Sequence, residues 1–259
     1  MNSRFYMRPA AAALALALAA GGCGETRPEQ TAPAAEPAVA ADPIDPATAG
    51  SITGRISFEG VPSAPRIFKA AASDPNCPPA VLAQTTVLGD KGALRHVFIY
   101  VKDGLGNRRF PPPATPVVLD QKGCQYAPHV VGIQVGQPLQ IVSSDPTLHN
   151  VHAVPEKNRE FNTGQPVPGQ PHTHTFSTAE VMVPFKCDVH RWMNAFVGVL
   201  DHPFHVVSAD DGRFELKGLP PGTYTVEAWH EQLGTQTQTV TIGEKETKDV
   251  GFSFMRTTT

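Results

Sequence analysis

The stretch Pro184-Phe-Lys-Cys-Asp-Val-His-Arg-Trp-Met193 spaces a thiol, an imidazole and a thioether at equal intervals of three. A loop this short wraps Cys187, His190 and Met193 round one small ion, and the fold must then supply stiff strands on both sides of the loop to hold them there. Sulfur together with imidazole implies a softer ion than magnesium or calcium. Zinc accepts thiolate and imidazole but seldom methionine, so the thioether tilts the choice to copper.

A trigonal site needs a second imidazole, and the loop is too short to supply it. Ser144-Asp-Pro-Thr-Leu-His-Asn-Val-His152 does so. His149 follows Gly132-Ile-Gln-Val-Gly-Gln-Pro-Leu-Gln-Ile-Val142, which alternates as two strand pieces around a turn, so His149 is expected near a strand end. His152 lies three residues further on, faces the other side of a strand, and is read as a surface residue. The expected ligand set is His149, Cys187, His190 and Met193.

The Cys-x2-His-x2-Met loop, the His-Asn-x-His segment and the distance between them resemble the cupredoxins, with a ligand loop of the amicyanin type. The resemblance implies one type 1 copper ion, with His149, Cys187 and His190 in the copper plane and Met193 as a long axial ligand. It gives Asn150 the role of tethering the two ligand segments. It also implies a carrier of single electrons between redox proteins, such as a cytochrome or a dehydrogenase. Trp192 and Phe196 flank the loop and are candidates for an apolar docking surface around His190, with core packing as the alternative.

Residues 1–22 carry Arg4 and Arg8, an Ala/Leu run from Ala10 to Ala20, and small residues before Cys23. This is the pattern of a secretory signal peptide. The small residues before Cys23 resemble a bacterial lipobox, which implies lipidation of Cys23 and a protein held at a membrane by its lipid alone, in the periplasm or at the outer membrane or cell surface. Residues 23–50, rich in Ala and Pro, read as a disordered tether. An exported chain is free to oxidise the remaining pair, Cys77 and Cys124, and a disulfide is expected. The competing reading is a second metal site built from Cys124 and His129.

The rest of the chain is punctuated by 26 Pro and 22 Gly between alternating segments, and no long helix is legible. Val206 to Trp229 contains turns at Asp211-Gly212 and Pro221-Gly222. Its Asp-Gly-Arg-Phe and Leu-Pro-Pro-Gly-Thr-Tyr motifs resemble the carboxypeptidase regulatory-like domain, a transthyretin-like sandwich with a carbohydrate-binding-like fold. The expected class is therefore all-β: a cupredoxin Greek-key β-sandwich over 51–202, then a smaller transthyretin-like β-sandwich over 203–259. Fifty residues are few for a sandwich, so Ile52 to Phe58 could pair with the second module, and the sequence leaves this open.

A net charge of −3 without a basic block argues against nucleic acid as a partner. No nucleophile with a paired base, phosphate-binding loop or acid pair is present, and the neighbours of Cys187 are Lys186 and Asp188, not the histidines of a multicopper relay. His172 and His174 read as a surface pair. An electron carrier, not an enzyme, is expected. The alternatives are copper acquisition or delivery, and a carbohydrate-binding or adhesive module with Tyr224 and Trp229 as its aromatic platform.

Overall fold

Ile52, Gly54, Ile56 and Phe58 alternate with polar residues, so the first extended segment has one apolar face that must find partners. It finds them at the far end of the chain. The computed structural model describes residues 42–166 and 168–256. The expected signal peptide, Cys23 and the tether as far as residue 41 lie outside the described residues. From Asp42 the chain is packed, contrary to the expectation of a tether reaching 50. Asp42 exchanges hydrogen bonds with the Arg109 backbone, and Ile44 lies against an apolar core.

Four strands come first: β1 (Gly50–Glu59), β2 (Ile67–Phe68), β3 (Val81–Leu82) and β4 (Phe98–Asp103). Nine follow: β5 (Val117–Gln121), β6 (Tyr126–Ala127), β7 (Val130–Gln134), β8 (Pro138–Ser143), β9 (His149–Ala153), β10 (Phe161–Gln165), β11 (His172–Thr175), β12 (Glu180–Lys186) and β13 (Asn194–Leu200). The last six are β14 (His205–Val207), β15 (Arg213–Leu219), β16 (Gly222–His230), β17 (Gly234–Ile242), β18 (Thr247–Asp249) and β19 (Phe252–Met255).

The middle nine build one sandwich. Its sheets run β10-β9-β12-β13-β7 and β11-β8-β5-β6, and Leu119, Tyr126, Ile133, Ile141, Val151, Phe185 and Val197 fill the space between them. The second sandwich stacks β15-β1, with β18 and β19 sharing the other edge of β1, against β14-β4-β16-β17. Its core holds Ile52, Ile56, Val101, Phe214, Val226 and Phe252.

The all-β class with two sandwiches stands, but a division at residue 203 does not. Strand β1, whose partner the sequence left open, hydrogen-bonds to β15, and β4, expected in the first domain, hydrogen-bonds to β16. The physical reason is area: the strands after 203 present one apolar face each, and they close a core only when β1 and β4 bring Ile52, Ile56, Ile99 and Val101 to it. The first sandwich is thus inserted between β4 and β14.

Strand β4 is buried on both faces, which is why its sequence reads as an unbroken apolar run. Ile99 and Val101 point into the second sandwich; Phe98 and Tyr100 pack on Val130, Met182 and Leu200 of the first. Gly132 and Gly198, register partners in β7 and β13, leave the notch that admits Phe98 and His205. A methyl group on Gly198 would lie 2.5 Å from Phe98 Cζ. Gly198→Ala is expected to lower stability by about 1–3 kcal/mol through overpacking, read as a shifted urea midpoint.

Burial also holds several histidines neutral. It pushes His96 down to about 3, with the nearby His129 adding to the effect, and pushes His205 and His230 down to about 4. In the unfolded chain these groups titrate near 6.5, so below that pH the unfolded state binds more protons than the folded one. Stability is expected to fall as pH drops from about 6.5 towards 4, by up to about 1.4 kcal/mol per pH unit for each such group. Denaturant unfolding at a series of pH values tests this, and a flat profile on the acid side would contradict it.

Candidate metal centre

His149 opens β9, and Cys187 leaves β12 one residue before the turn that carries His190 and returns through Met193 to β13. These are adjacent strands of one sheet, since β12 pairs with β9 and with β13. The loop is closed tightly: Cys187 N–H donates to the Met193 carbonyl at 3.2 Å, and Met193 N–H to the His190 carbonyl at 2.8 Å. Tyr126 donates from its hydroxyl to the Asn150 carbonyl at 2.8 Å and lies 3.2 Å from the Lys186 carbonyl, bracing both ligand strands from within the core.

The structure brings His149, Cys187 and His190 together, with their donor atoms all within 4.8 Å of one another. The two Nδ1 atoms are 2.9 Å apart, and Cys187 Sγ lies 3.9 Å from His190 Nδ1. All three residues are buried, and so is Met193, which belongs to the same apolar cluster as Cys187. Asn150 spans the two segments: its Oδ1 accepts from Asp188 N–H at 2.6 Å, and its Nδ2 donates to Asn162 Oδ1 at 2.7 Å and Asp188 Oδ2 at 3.1 Å.

The far nitrogens of the rings are held by carboxylates. His149 Nε2 meets Asp145 Oδ2 at 2.9 Å, and Asp145 also accepts the backbone N–H groups of Gly123 and Cys124. His190 Nε2 meets Asp74 Oδ2 at 3.2 Å. The Thr147 hydroxyl, followed by the Asn76 backbone and with help from His190, holds the Asp74 carboxyl below its usual range, so it is an acceptor only. Burial lowers the His149 imidazole, against a partial opposing pull from Asp145.

The tautomers follow from these partners. Each Nε2 faces an acceptor and therefore carries the hydrogen, which leaves the Nδ1 lone pairs aimed at one another beside a sulfur. Two imidazole nitrogens and a cysteine sulfur crowded together offer a cation three donors, and such a set suits a soft transition metal.

Cys77 and Cys124 form a disulfide, with Cα atoms 5.6 Å apart. This removes Cys124 from any second metal site, and His129 instead bonds Glu231 at 2.6 Å and the Asn194 carbonyl at 3.1 Å. The disulfide lies over the centre: Cys77 Sγ is 3.7 Å from His190 Nε2, and Trp192 Nε1 donates to the Cys124 carbonyl at 2.9 Å.

The ring edge of His190 is therefore covered, where an exposed edge ringed by Trp192 and Phe196 was one expectation. Phe196 points the other way, packing on His129 and Trp229 in the seam between the sandwiches. His152 faces outward between Asp188 and Glu160, and Glu160 raises its pKa. His172 and His174 sit on β11 beside Phe161, away from the centre. Asp74 and Asp145 were missed in the sequence. Asp145 stands four residues before His149, a local signal, whereas Asp74 is 116 residues from His190 and has none.

Residues 193–254 match the family model of the carboxypeptidase regulatory-like domain. The match runs from Met193, the end of the Cys187–Met193 loop, through β13 to β19, and so leaves out β1 and β4, which complete the second sandwich. No curated protein matches the chain.

Among solved structures, the chain is similar to a copper-containing nitrite reductase from Thermus scotoductus SA-01, at 20% identity over 38% of this chain and with a TM-score of 0.32. It spans only 25% of that reductase. It is also similar to an amicyanin mutant in its Cu(I) form, at 23% identity over 32% of this chain and 81% of that one, with a TM-score of 0.29. A purple cupredoxin from Nitrosopumilus maritimus is matched at 18% identity over 32% of this chain and 98% of that one, with a TM-score of 0.28.

Replacing both Cys77 and Cys124 by Ser is expected to lower stability by roughly 4 kcal/mol, the chain-entropy value for a loop of this size. Urea unfolding of the double variant against the oxidised protein tests it; an unchanged midpoint would mean that packing alone holds the segment over His190.

Proposed function

We propose that this chain carries one type 1 copper ion and passes single electrons between redox proteins. The observation that carries the reading is the convergence of two imidazole nitrogens and one cysteine sulfur in a buried pocket. In that pocket Cys187, His149 and His190 would hold the metal, with Met193 as the weak fourth donor. Bound there, copper would supply a one-electron couple.

The chain's own residues do the rest. Asp145 and Asp74 fix the two ring orientations, Asn150 holds the segments in register, and the flanking sheets keep the donors from relaxing. Burial of the whole set excludes water and small substrates, which supports a carrier over an enzyme. It also supports retention of the metal over its delivery. Tyr224 is buried with its hydroxyl on the Pro220 carbonyl, and Trp229 packs on Phe196, so neither offers a platform for sugar.

The reading includes export, lipid attachment at Cys23, and a place in the periplasm or at the cell surface, with a cytochrome or a dehydrogenase as partner. The Cys77–Cys124 disulfide supports an oxidising compartment. Loading the chain with cupric ion is expected to give an intense red-absorbing thiolate charge-transfer band and narrow copper hyperfine splitting in electron paramagnetic resonance, both lost in Cys187→Ser. A colourless protein with an ordinary tetragonal spectrum would refute the type 1 centre.

A further inference from the structure

The rim of the centre poses a problem for a carrier. His190 is 1% exposed, and its Nε2 edge faces Asp74 and the Cys77 sulfur, so no partner can touch the ring. Electron tunnelling weakens steeply with every ångström of gap, and a partner held off by this cover needs another point of approach.

One face of the His190 ring remains engaged with an aromatic side chain. Trp192 lies 5.2 Å from it, centroid to centroid, and Phe68 of β2 stacks on Trp192 at 6.1 Å with the planes 26° apart. Above Phe68 sits the Arg66 guanidinium, 4.8 Å from the ring centroid, a cation–π arrangement at the protein surface. Trp192 and Phe68 are both half-buried, so the row runs from the buried ligand to solvent.

The surface at its outer end has a definite character. Arg66, Phe68 and Arg256 line one hollow, and Ile67 and Leu82, paired across β2 and β3, are exposed beside it at 61% and 53%. Between Val61 and Gly89 the charged residues are Arg66, Lys69 and Asp74, two cations to one carboxylate, and that carboxylate is turned onto Thr147 and His190 while Arg256 adds a third cation at the hollow. The patch is thus cationic on a chain whose net charge is −3.

We infer that electrons enter and leave through the row His190–Trp192–Phe68, and that the β2–β3 hairpin is the docking face for a one-electron redox protein whose acceptor edge is ringed by carboxylates. The inference rests on the copper-carrier reading. In each transfer the reduced centre loses one electron and the partner's acceptor gains one; no proton moves. The apolar residues fill the contact and Arg66, Lys69 and Arg256 steer the acidic partner onto it.

Two measurements test this, one of them independent of metal. In the metal-free full chain, redox-inert hexacyanochromate(III), a paramagnetic anion, should broaden backbone NMR signals around Ile67, Phe68 and Gln232, and the Arg66→Glu, Arg256→Glu double variant should lose the effect. Broadening centred instead on the exposed Leu148 and Val189 would overturn the docking face. In the copper-loaded chain, oxidation by hexacyanoferrate(III) should slow by about tenfold at low salt in Arg66→Glu, a steering effect that shrinks as salt rises. Phe68→Leu, which keeps the bulk but not the ring, should slow it several-fold with the charge-transfer band unchanged. A blue band with unmoved rates would overturn the route alone, whereas absence of the band in the unaltered chain would overturn the carrier reading and the route with it.

Discussion

Asp145 and Asp74 each accept a hydrogen bond from the far nitrogen of a ring whose near nitrogen faces the other donors. Much of the architecture serves to put those two carboxylates where they are. Asp145 is locked by the Gly123 and Cys124 amides, and Cys124 is locked in turn by its bond to Cys77. Asp74 arrives on the segment that this bond ties down. The disulfide therefore does more than restrict the unfolded chain: it aligns the supports of both imidazoles, and a support misplaced by an ångström would let a ring turn and bring its N–H towards the other donors.

Rigidity at the centre is inherited from the sheets. β9, β12 and β13 are neighbours, and Tyr126 braces β9 and β12 from beneath. That sandwich is itself clasped by the outer one, because β4 belongs to the hydrogen-bonded sheet of one and the packing surface of the other. A strand committed on both faces cannot slide without opening two cores, so the inserted sandwich has little freedom to rock against its neighbour.

The sequence was most legible where chemistry is local. The spacing of Cys187, His190 and Met193, the alternation of Ile52 to Phe58, and the turns at Asp211-Gly212 and Pro221-Gly222 are short-range patterns, and each maps onto an element of the structure. What failed to show was long-range. The boundary drawn at 203 missed the pairing of β4 with β16, because an apolar run says that a strand is buried and not which sheet it joins. The tether was extended too far, since Ile44 is a single apolar residue in a Pro/Ala-rich stretch. Asp74 and Phe68 could not be assigned to the centre at all: their segment has only two-residue strands, and its position depends on the bond to Cys124.

The interleaving has a consequence for how the molecule is assembled. β1 is among the first folded segments to be made, yet its hydrogen-bonded neighbours, β15, β18 and β19, all lie beyond residue 212. A growing chain therefore carries an apolar strand with open edges until residues 213–255 have been made. The inserted sandwich draws only on residues 117–200 for its sheets and can close while the outer one waits. Assembly thus runs from the inside outwards, and β19, laid along Phe58 through Phe254, is the latch that closes last.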